Sequence, residues 1–308
     1  MQRRLRIGTR GSKLALIQAN DVARRIGIAL GLPAEEAAEI VVIKTTGDRV
    51  QDRNLSELGG KGLFTKEIED ALLDGGIDLA VHSMKDMPTV LPDGLIIDCT
   101  LERVDPRDAF LSSKATSIAT LPQGAIVGTS SLRRGAQVKA RRPDVTVVPF
   151  RGNVDTRLQK LADGVADATL LAMAGLTRMG LLDKVTAPLS TEEILPAVAQ
   201  GAVGVERRVN DAEVAELLQK LHHVETGLRI AAERATLAVL DGSCRTPIAA
   251  LALIDGKKLA MRAMILSPDG SEVIETSREG LALDAVALGA DAGEELKGRA
   301  GSHFFDEV

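Results

Sequence analysis

Two short runs, GTRGS (8–12) and GTSSLRR (128–134), each put small residues, hydroxyls and arginine where a strand pattern passes into a helix pattern. Free backbone N–H groups and the positive end of the helix dipole make such junctions receptive to anions. Arginine there adds bidentate recognition, and in open α/β sheets ligands gather at the carboxyl ends of strands, where both junctions fall. Between residues 130 and 160 stand eight cations, Arg133, Arg134, Lys139, Arg141, Arg142, Arg151, Arg157 and Lys160, against Asp144 and Asp155, in a chain of net charge −5. Lys139, Arg141, Arg142 and Lys160 read as a solvated basic face, whereas Arg133, Arg134 and Arg151 lie at strand ends and read as ligand-facing. The expected ligand is polyanionic. Phosphate fits this pattern as well as carboxylate does, although GGKG (59–62) lacks the Gly-Lys-Ser/Thr ending of a phosphate loop.

Asp86 closes the run AVHSM in the turn KDMP. An Asp in such a turn is commonly a local cap, but with Lys85 and the arginine-rich junctions for company it stays ionised. An ionised acid adds nothing to anion affinity, and could instead stabilise a cation that develops during reaction. His82, two residues back, shares a face with Met84 and reads as structural, with no partner identifiable. Cys244 sits in the loop DGSCRTP, where a lone cysteine is more often inert than catalytic; Arg245 and Pro247 beside it supply a cation and a rigid turn. Cys99, in LIIDCTL (95–101), reads as a buried strand residue, and a disulfide between the two is not expected in a reducing compartment.

The elements that must position these groups follow one rhythm over the first two hundred residues: a β-branched run, a turn, then a helical pattern. Strands are expected at 6–9, 39–46, 77–84, 95–101, 108–113, 125–130, 145–150 and 167–174. Helices are expected at 13–30, capped by Ser12 and stopped by Gly31 and Pro33, and at about 65–74, 131–142 and 153–164, with a short one near AGLTRMG. Alternating strands and helices imply parallel sheets covered on both faces. Residues 47–62 show little periodicity and read as a mobile loop. After residue 220 come a long helix (224–240), three alternating runs (PIAALALID, KLAMRAMIL, SEVIETS) and a final helix near 283–297, an α+β domain with an antiparallel sheet.

Composition narrows the field. With 45% hydrophobic and 26% charged residues the chain is globular, and no apolar run approaches the roughly 20 residues of a membrane span. No signal peptide is evident, which argues for the cytoplasm. The acidic balance, with no Trp or Tyr and five Phe, argues against nucleic acid. Four histidines (82, 222, 223, 303) form no metal-ligand cluster, and adjacent His222 and His223 cannot face one site from a helix.

The runs GTRGSKLA, GGKGLFTKE, VHSMKDMP, DPRDAF, VGTSSLRR, FRGNVDTRL, LAMAGLTRMG, LPAVAQGAVGVE and DGSCRTP resemble those of porphobilinogen deaminases over nearly the whole chain. The resemblance implies two α/β lobes like type II periplasmic binding proteins plus a small α+β carboxy-terminal domain with a three-stranded antiparallel sheet. The expected division is 1–101 with 202–220, then 107–195, then 224–308. It implies condensation of four porphobilinogen molecules, and a dipyrromethane cofactor held by a thioether on Cys244. Asp86 would be catalytic. Lys85, Arg103, Thr129, Ser131, Arg133 and Arg134 would join Cys244 in holding the cofactor, and Arg10, Ser12, Phe64, Arg151, Arg157, Arg178 and Gln200 would bind substrate. No metal, nucleic acid or membrane partner is implied, and a cytoplasmic monomer is expected. Ser243, Glu57 and Arg207 depart from the family pattern without touching Asp86 or Cys244.

Two rivals set the contrast. A non-catalytic solute-binding or sensor protein on the same lobes would need neither Asp86 nor Cys244. A phosphate-ester enzyme would be expected to carry a metal-ligand cluster.

Overall fold

The computed structural model describes residues 4–49, 65–240, 246–301 and 304. Its strands are β1 (Leu5–Thr9), β2 (Ala38–Val42), β3 (Leu79–Ser83), β4 (Leu95–Thr100), β5 (Asp108–Ser112), β6 (Ile126–Gly128), β7 (Thr146–Val148), β8 (Ala168–Ala172), β9 (Ala187–Pro188), β10 (Val203–Arg208), β11 (Ile248–Asp255), β12 (Lys258–Leu266) and β13 (Val273–Leu281). They form two five-stranded sheets, β2-β1-β3-β10-β4 and β7-β6-β8-β5-β9, and the three-stranded antiparallel sheet β11-β12-β13. The two α/β lobes and the antiparallel carboxy-terminal sheet expected from the sequence are present. The chain divides into two compact units, Met1–Val104 with Ala202–Gly227, and Asp105–Gly201 with Leu228–Val308.

In the first unit, the helix Lys13–Leu30 starts where Ser12 Oγ accepts the Ala15 N–H at 3.3 Å, and ends at Gly31, whose φ of 69° is the left-handed turn that favours glycine. Its buried residues Gln18, Ala19, Val22, Ala23 and Ile26 recur at helical spacing, and the four apolar ones pack with Ile7, Leu79, Val81 and Val205. Each fully buried Ile or Leu side chain of such a core contributes about 1.5–3 kcal/mol. The opposite sheet face is covered by the helix Lys66–Leu73 through Ile68 and Leu72, against Ile77, Ala80 and Leu95.

In the second unit, Phe110, Val127, Val138, Leu170 and Ile194 form one core. Leu195 and Ala136 join Ala249, Leu251, Met264 and Leu266 in another. The helix Leu132–Arg141 and the carboxy-terminal sheet therefore share buried surface within this unit.

The five-stranded sheets are mixed, not parallel. β1 pairs parallel with β2 and β3, but β10 runs antiparallel to both β3 and β4. In the second sheet β6 is parallel to β7 and β8, and β5 is antiparallel to β8 and β9. The reversed strands are the ones by which the chain arrives: β5 opens the second unit and β10 re-enters the first. The sequence expectation contained no strand at 203–208 and no helix at Ala212–Gln219. VGVERR hides its strand because it lies mid-sheet with five of six residues buried, Glu206 and Arg207 included, so neither alternation nor a purely apolar run marks it. The second strand is shorter than expected; it ends at Val42, and Thr46–Arg49 is a helical turn. Most of the loop expected at 47–62 lies outside the described residues.

Candidate functional site

Asp86 is carried by a short 3-10 turn, Met84–Asp86, directly after β3. Three contacts fix that turn. The Met84 N–H donates to the Ala202 carbonyl at 3.1 Å, and the Met87 N–H donates to the Met84 carbonyl at 3.2 Å. Register supplies the third: Gly204 of β10 lies opposite His82, and residues alternating along paired strands share a face. The Met84 side chain fills the space over Gly204, where an added Cβ would stand 2.1 Å from Met84 Sδ. Met84 and Met87 are buried while Lys85 and Asp86 are exposed. The result is an exposed carboxylate and ammonium on a turn held from beneath.

That predicts a substitution effect at a distance from the carboxylate. Gly204→Ala should displace Met84 and cost about 1–3 kcal/mol of stability as an overpacked site. Thermal unfolding checks this; an unchanged midpoint would contradict it.

Beneath the turn lies a buried polar group of the first unit. His82 Nε2 and Glu206 Oε2 are hydrogen-bonded at 2.9 Å, both side chains being almost wholly inaccessible. His82 thus has the partner that the sequence did not reveal, because Glu206 comes from the unread β10, 124 residues away. Glu69, on the helix Lys66–Leu73, has its carboxyl pushed up by burial and by Glu206, against the opposing pull of Thr65 and His82. Arg207 pairs with Asp98, so that departure from the family pattern is balanced locally. His222 accepts the Thr100 N–H at 3.1 Å and His223 Nδ1 bonds Thr226 Oγ1 at 2.9 Å, two separate structural roles. Thr226 Oγ1 also accepts the Arg103 N–H at 3.0 Å. Arg10 directly follows β1, and Ser12 caps the helix that begins at Lys13. Cys99 is fully buried, and burial, aided by Asp98, pushes its thiol up to about 12.

In the second unit the arginines converge on one carboxylate. Asp108, the first residue of β5, is fully buried. Its Oδ2 accepts from Arg133 Nη1 at 2.7 Å; its Oδ1 accepts from Arg134 Nη2 at 2.6 Å and Nε at 3.1 Å. Gln200 Nε2 donates to the same Oδ1 at 2.9 Å. Burial alone would raise the Asp108 carboxyl, but the Arg133 and Arg134 guanidiniums outweigh it and hold the group well below the usual carboxylate range. Arg133 also donates to the Leu195 carbonyl at 2.8 Å. Ser131 caps the helix Leu132–Arg141 by accepting the Arg134 N–H at 3.4 Å, and Thr129 Oγ1 accepts the Ser131 N–H at 3.1 Å.

The other second-unit candidates are half-buried. Arg151 follows Phe150 directly, Arg157 lies on the helix Val154–Ala162, and Arg178 donates to the Gly201 carbonyl at 3.0 Å. Three of the cations expected on a solvated face also tie the backbone together. Arg142 forks onto Asp144 at 2.7 Å and donates to the Ile118, Ala119 and Pro122 carbonyls. Arg141 donates to the Glu192 carbonyl at 2.6 Å and Lys160 to the Arg151 carbonyl at 3.0 Å. Phe64 and Cys244 lie outside the described residues. Among the described residues no helix is long and apolar enough to cross a membrane, and no His, Cys, Asp and Glu group is placed to hold a metal.

Two domain families match this chain. The porphobilinogen deaminase, dipyromethane cofactor binding domain, matches residues 5–216, and the porphobilinogen deaminase, C-terminal domain, matches residues 227–298. The chain belongs to the porphobilinogen deaminase family. It is a hydroxymethylbilane synthase, a transferase of tetrapyrrole biosynthesis, and its cofactor is dipyrromethane. It is similar to a porphobilinogen deaminase of Paracoccus denitrificans, 61% identical over 305 residues, covering 99% of this chain and 97% of that one. A chloroplastic porphobilinogen deaminase of Oryza sativa is 54% identical over 308 residues, covering 99% of this chain and 86% of that one. Among solved structures, a periplasmic substrate-binding protein of an ABC transporter from Coxiella burnetii is similar at a TM-score of 0.44 and 15% identity, covering 75% of this chain and 96% of that one.

The second unit of this deaminase fits a cofactor that bears carboxylates. Two buried guanidiniums share one carboxylate, a formal surplus of positive charge, and Arg133 Nε has no hydrogen-bond partner among the described residues. Sequence reading found the cations and missed Asp108, Glu206 and the orienting role of Gln200. The available signal was a charged residue inside a strand, in DAFLS and in VGVERR.

Proposed function

We propose that Asp86 is the catalytic carboxylate of porphobilinogen condensation, and that Arg133 and Arg134 hold acidic side groups of the cofactor. Each porphobilinogen carries an acetate and a propionate, so a growing chain of pyrroles is a polyanion and needs cations that do not move. The observation that carries the reading is the Asp108 fork: it leaves the two guanidiniums oriented, buried and in net positive excess.

Thr129, Ser131, Lys85 and Arg103 join the arginines in holding the cofactor, while Arg10, Ser12, Arg151, Arg157, Arg178 and Phe64 take the carboxylates and ring of the incoming pyrrole. Gln200, expected among them, is buried with its amide donating to Asp108 and Pro106, and so serves at one remove. When bound, the cofactor supplies the free pyrrole carbon from which the product is extended. Loss of ammonia from the aminomethyl group of porphobilinogen leaves positive charge on that pyrrole. The Asp86 carboxylate stabilises this charge and the pyrrole N–H, then assists proton removal after the carbon–carbon bond forms. After four additions, hydrolysis at the methylene that joins the first added pyrrole to the cofactor would release the linear tetrapyrrole hydroxymethylbilane and leave the cofactor on its thioether.

The division of labour assigns Asp86 to residues 1–101 with 202–220, the anion sites to 107–195 and the cofactor thiol to 224–308. A cytoplasmic monomer with no nucleic-acid or membrane partner belongs to the same reading, supported by the net charge of −5.

The test is the intact mass of the denatured chain, followed by peptide mapping. The mass of two linked pyrroles should sit on the Cys244 peptide. Cys244→Ala should fold, retain no pyrrole after incubation with porphobilinogen, and make no product. Cys99 cannot take over, because its thiol is fully buried and hardly ionised at neutral pH. Pyrrole mass on the Cys244→Ala chain would overturn the anchor assignment.

A further inference from the structure

One buried carboxylate of the second unit is not used by the chemistry above. Glu233, on the helix Val224–Val239, is completely inaccessible. Its Oε2 accepts the Ala199 N–H at 2.7 Å and its Oε1 accepts the Ala252 N–H of β11 at 2.8 Å. Ala199 is the only non-glycine described residue with positive φ, at 59°. A residue with a Cβ rarely holds that conformation, and keeps it only where its surroundings over-determine it. Ala199 is itself fully buried, and the next residue is Gln200. The Gln200 carboxamide donates to the Pro106 carbonyl at 2.8 Å and to Asp108 Oδ1 at 2.9 Å. Asp108 in turn orients Arg133 and Arg134.

We propose that Glu233 is a positioning residue for the Arg133–Arg134 pair, acting through the left-handed backbone of Ala199, the Gln200 carboxamide and Asp108. The inference rests on the reading that these arginines hold cofactor carboxylates. Without a charged acceptor for its N–H, Ala199 relaxes toward ordinary backbone angles, which turns the 199–200 peptide and withdraws the Gln200 side chain from Asp108. A glycine at 199 has no such preference and can keep the turn unaided.

That difference separates positioning from simple bracing. The full chain, prepared without pyrrole, is offered porphobilinogen, and the gain of two pyrroles is followed by intact mass, with circular dichroism reporting the fold. Glu233→Gln should slow the gain roughly tenfold, the size of one lost charge-assisted hydrogen bond. Adding Ala199→Gly to it should restore the rate to within about twofold. A Glu233→Gln chain that loads at the parental rate, or a double variant as slow as the single, overturns the proposal. Gln200→Ala tests the next link without touching Glu233 and decides the matter if Glu233→Gln does not fold: it should load slowly, and parental loading overturns the relay. Arg134→Gln separates the two levels. Parental loading by that variant sinks the arginine reading itself, whereas slow loading by Arg134→Gln with parental loading by Glu233→Gln sinks only the relay.

Discussion

Asp86→Asn should retain its two cofactor pyrroles and lose chain elongation, with turnover reduced by about 10²–10⁴. Asparagine keeps the shape and can still accept a hydrogen bond, but it carries no charge to set against a developing cation and takes up no proton. The turn itself should survive. It is held by the Met84 N–H on Ala202, the Met87 N–H on Met84, and the Met84 side chain over Gly204, none of which involves the carboxylate. The thermal midpoint should therefore stay at the parental value, since Asp86 is exposed. Rapid mixing with porphobilinogen, quenching and intact-mass analysis would show the ladder of added pyrroles. A ladder that fills at the parental rate removes Asp86 from the mechanism.

Asp108→Asn should produce the largest loss of stability of any single substitution considered, about 3–5 kcal/mol, because it leaves two buried guanidiniums without their counter-charge. For a unit of this size that corresponds to a fall in thermal midpoint of roughly 10 °C. The effect depends on pH with a definite sign. Arg133 and Arg134 hold the Asp108 carboxyl below the usual range in the folded chain. Its contribution is thus fully present above the unfolded value of about 3.9, and is lost as pH falls below that toward the folded value. Urea unfolding at neutral pH should separate Asp108→Asn widely from the parent. The gap should narrow as the parent is taken below about pH 4. Equal midpoints at neutral pH would mean that the buried fork contributes nothing net.

Loss of Asp108 differs from loss of Asp86 in kind. One variant should be folded and inactive; the other should be poorly folded and poor at holding pyrroles. Measuring midpoint and cofactor mass on both variants tells an electrostatic role at the reacting atoms from an orienting role beneath the ligand.

Local sequence was sufficient for most of the helices, and the reason is visible in each case. The helix Lys13–Leu30 is bounded by its own Ser12 and Gly31, and its buried residues recur every three or four positions. Of the carboxy-terminal strands, β13 alternates along its whole length, whereas β11 and β12 carry continuous buried runs and were legible as apolar stretches bounded by turn residues. Asp86, Cys244 and the arginines stood out as candidates because they stand in long runs shared with porphobilinogen deaminases, and because a surplus of cations in an acidic chain is conspicuous from composition alone.

What local sequence could not supply is the set of partners. β10 was missed since a strand buried on both faces, carrying a glutamate and an arginine, shows neither alternation nor an apolar run. With β10 missing, the partner of His82 and the support of the Asp86 turn were missing too. The same holds for Asp108, which looks like an ordinary turn residue of DPRD until β5 brings it under Arg133 and Arg134, some 25 residues away. Sequence by itself thus determined which groups this deaminase can use and where its helices begin and end, since those depend on residue type and near neighbours. Only the tertiary structure decided which charges neutralise one another and which are left over for a ligand, because burial and pairing across a sheet are properties of strands that meet in space and not in the chain.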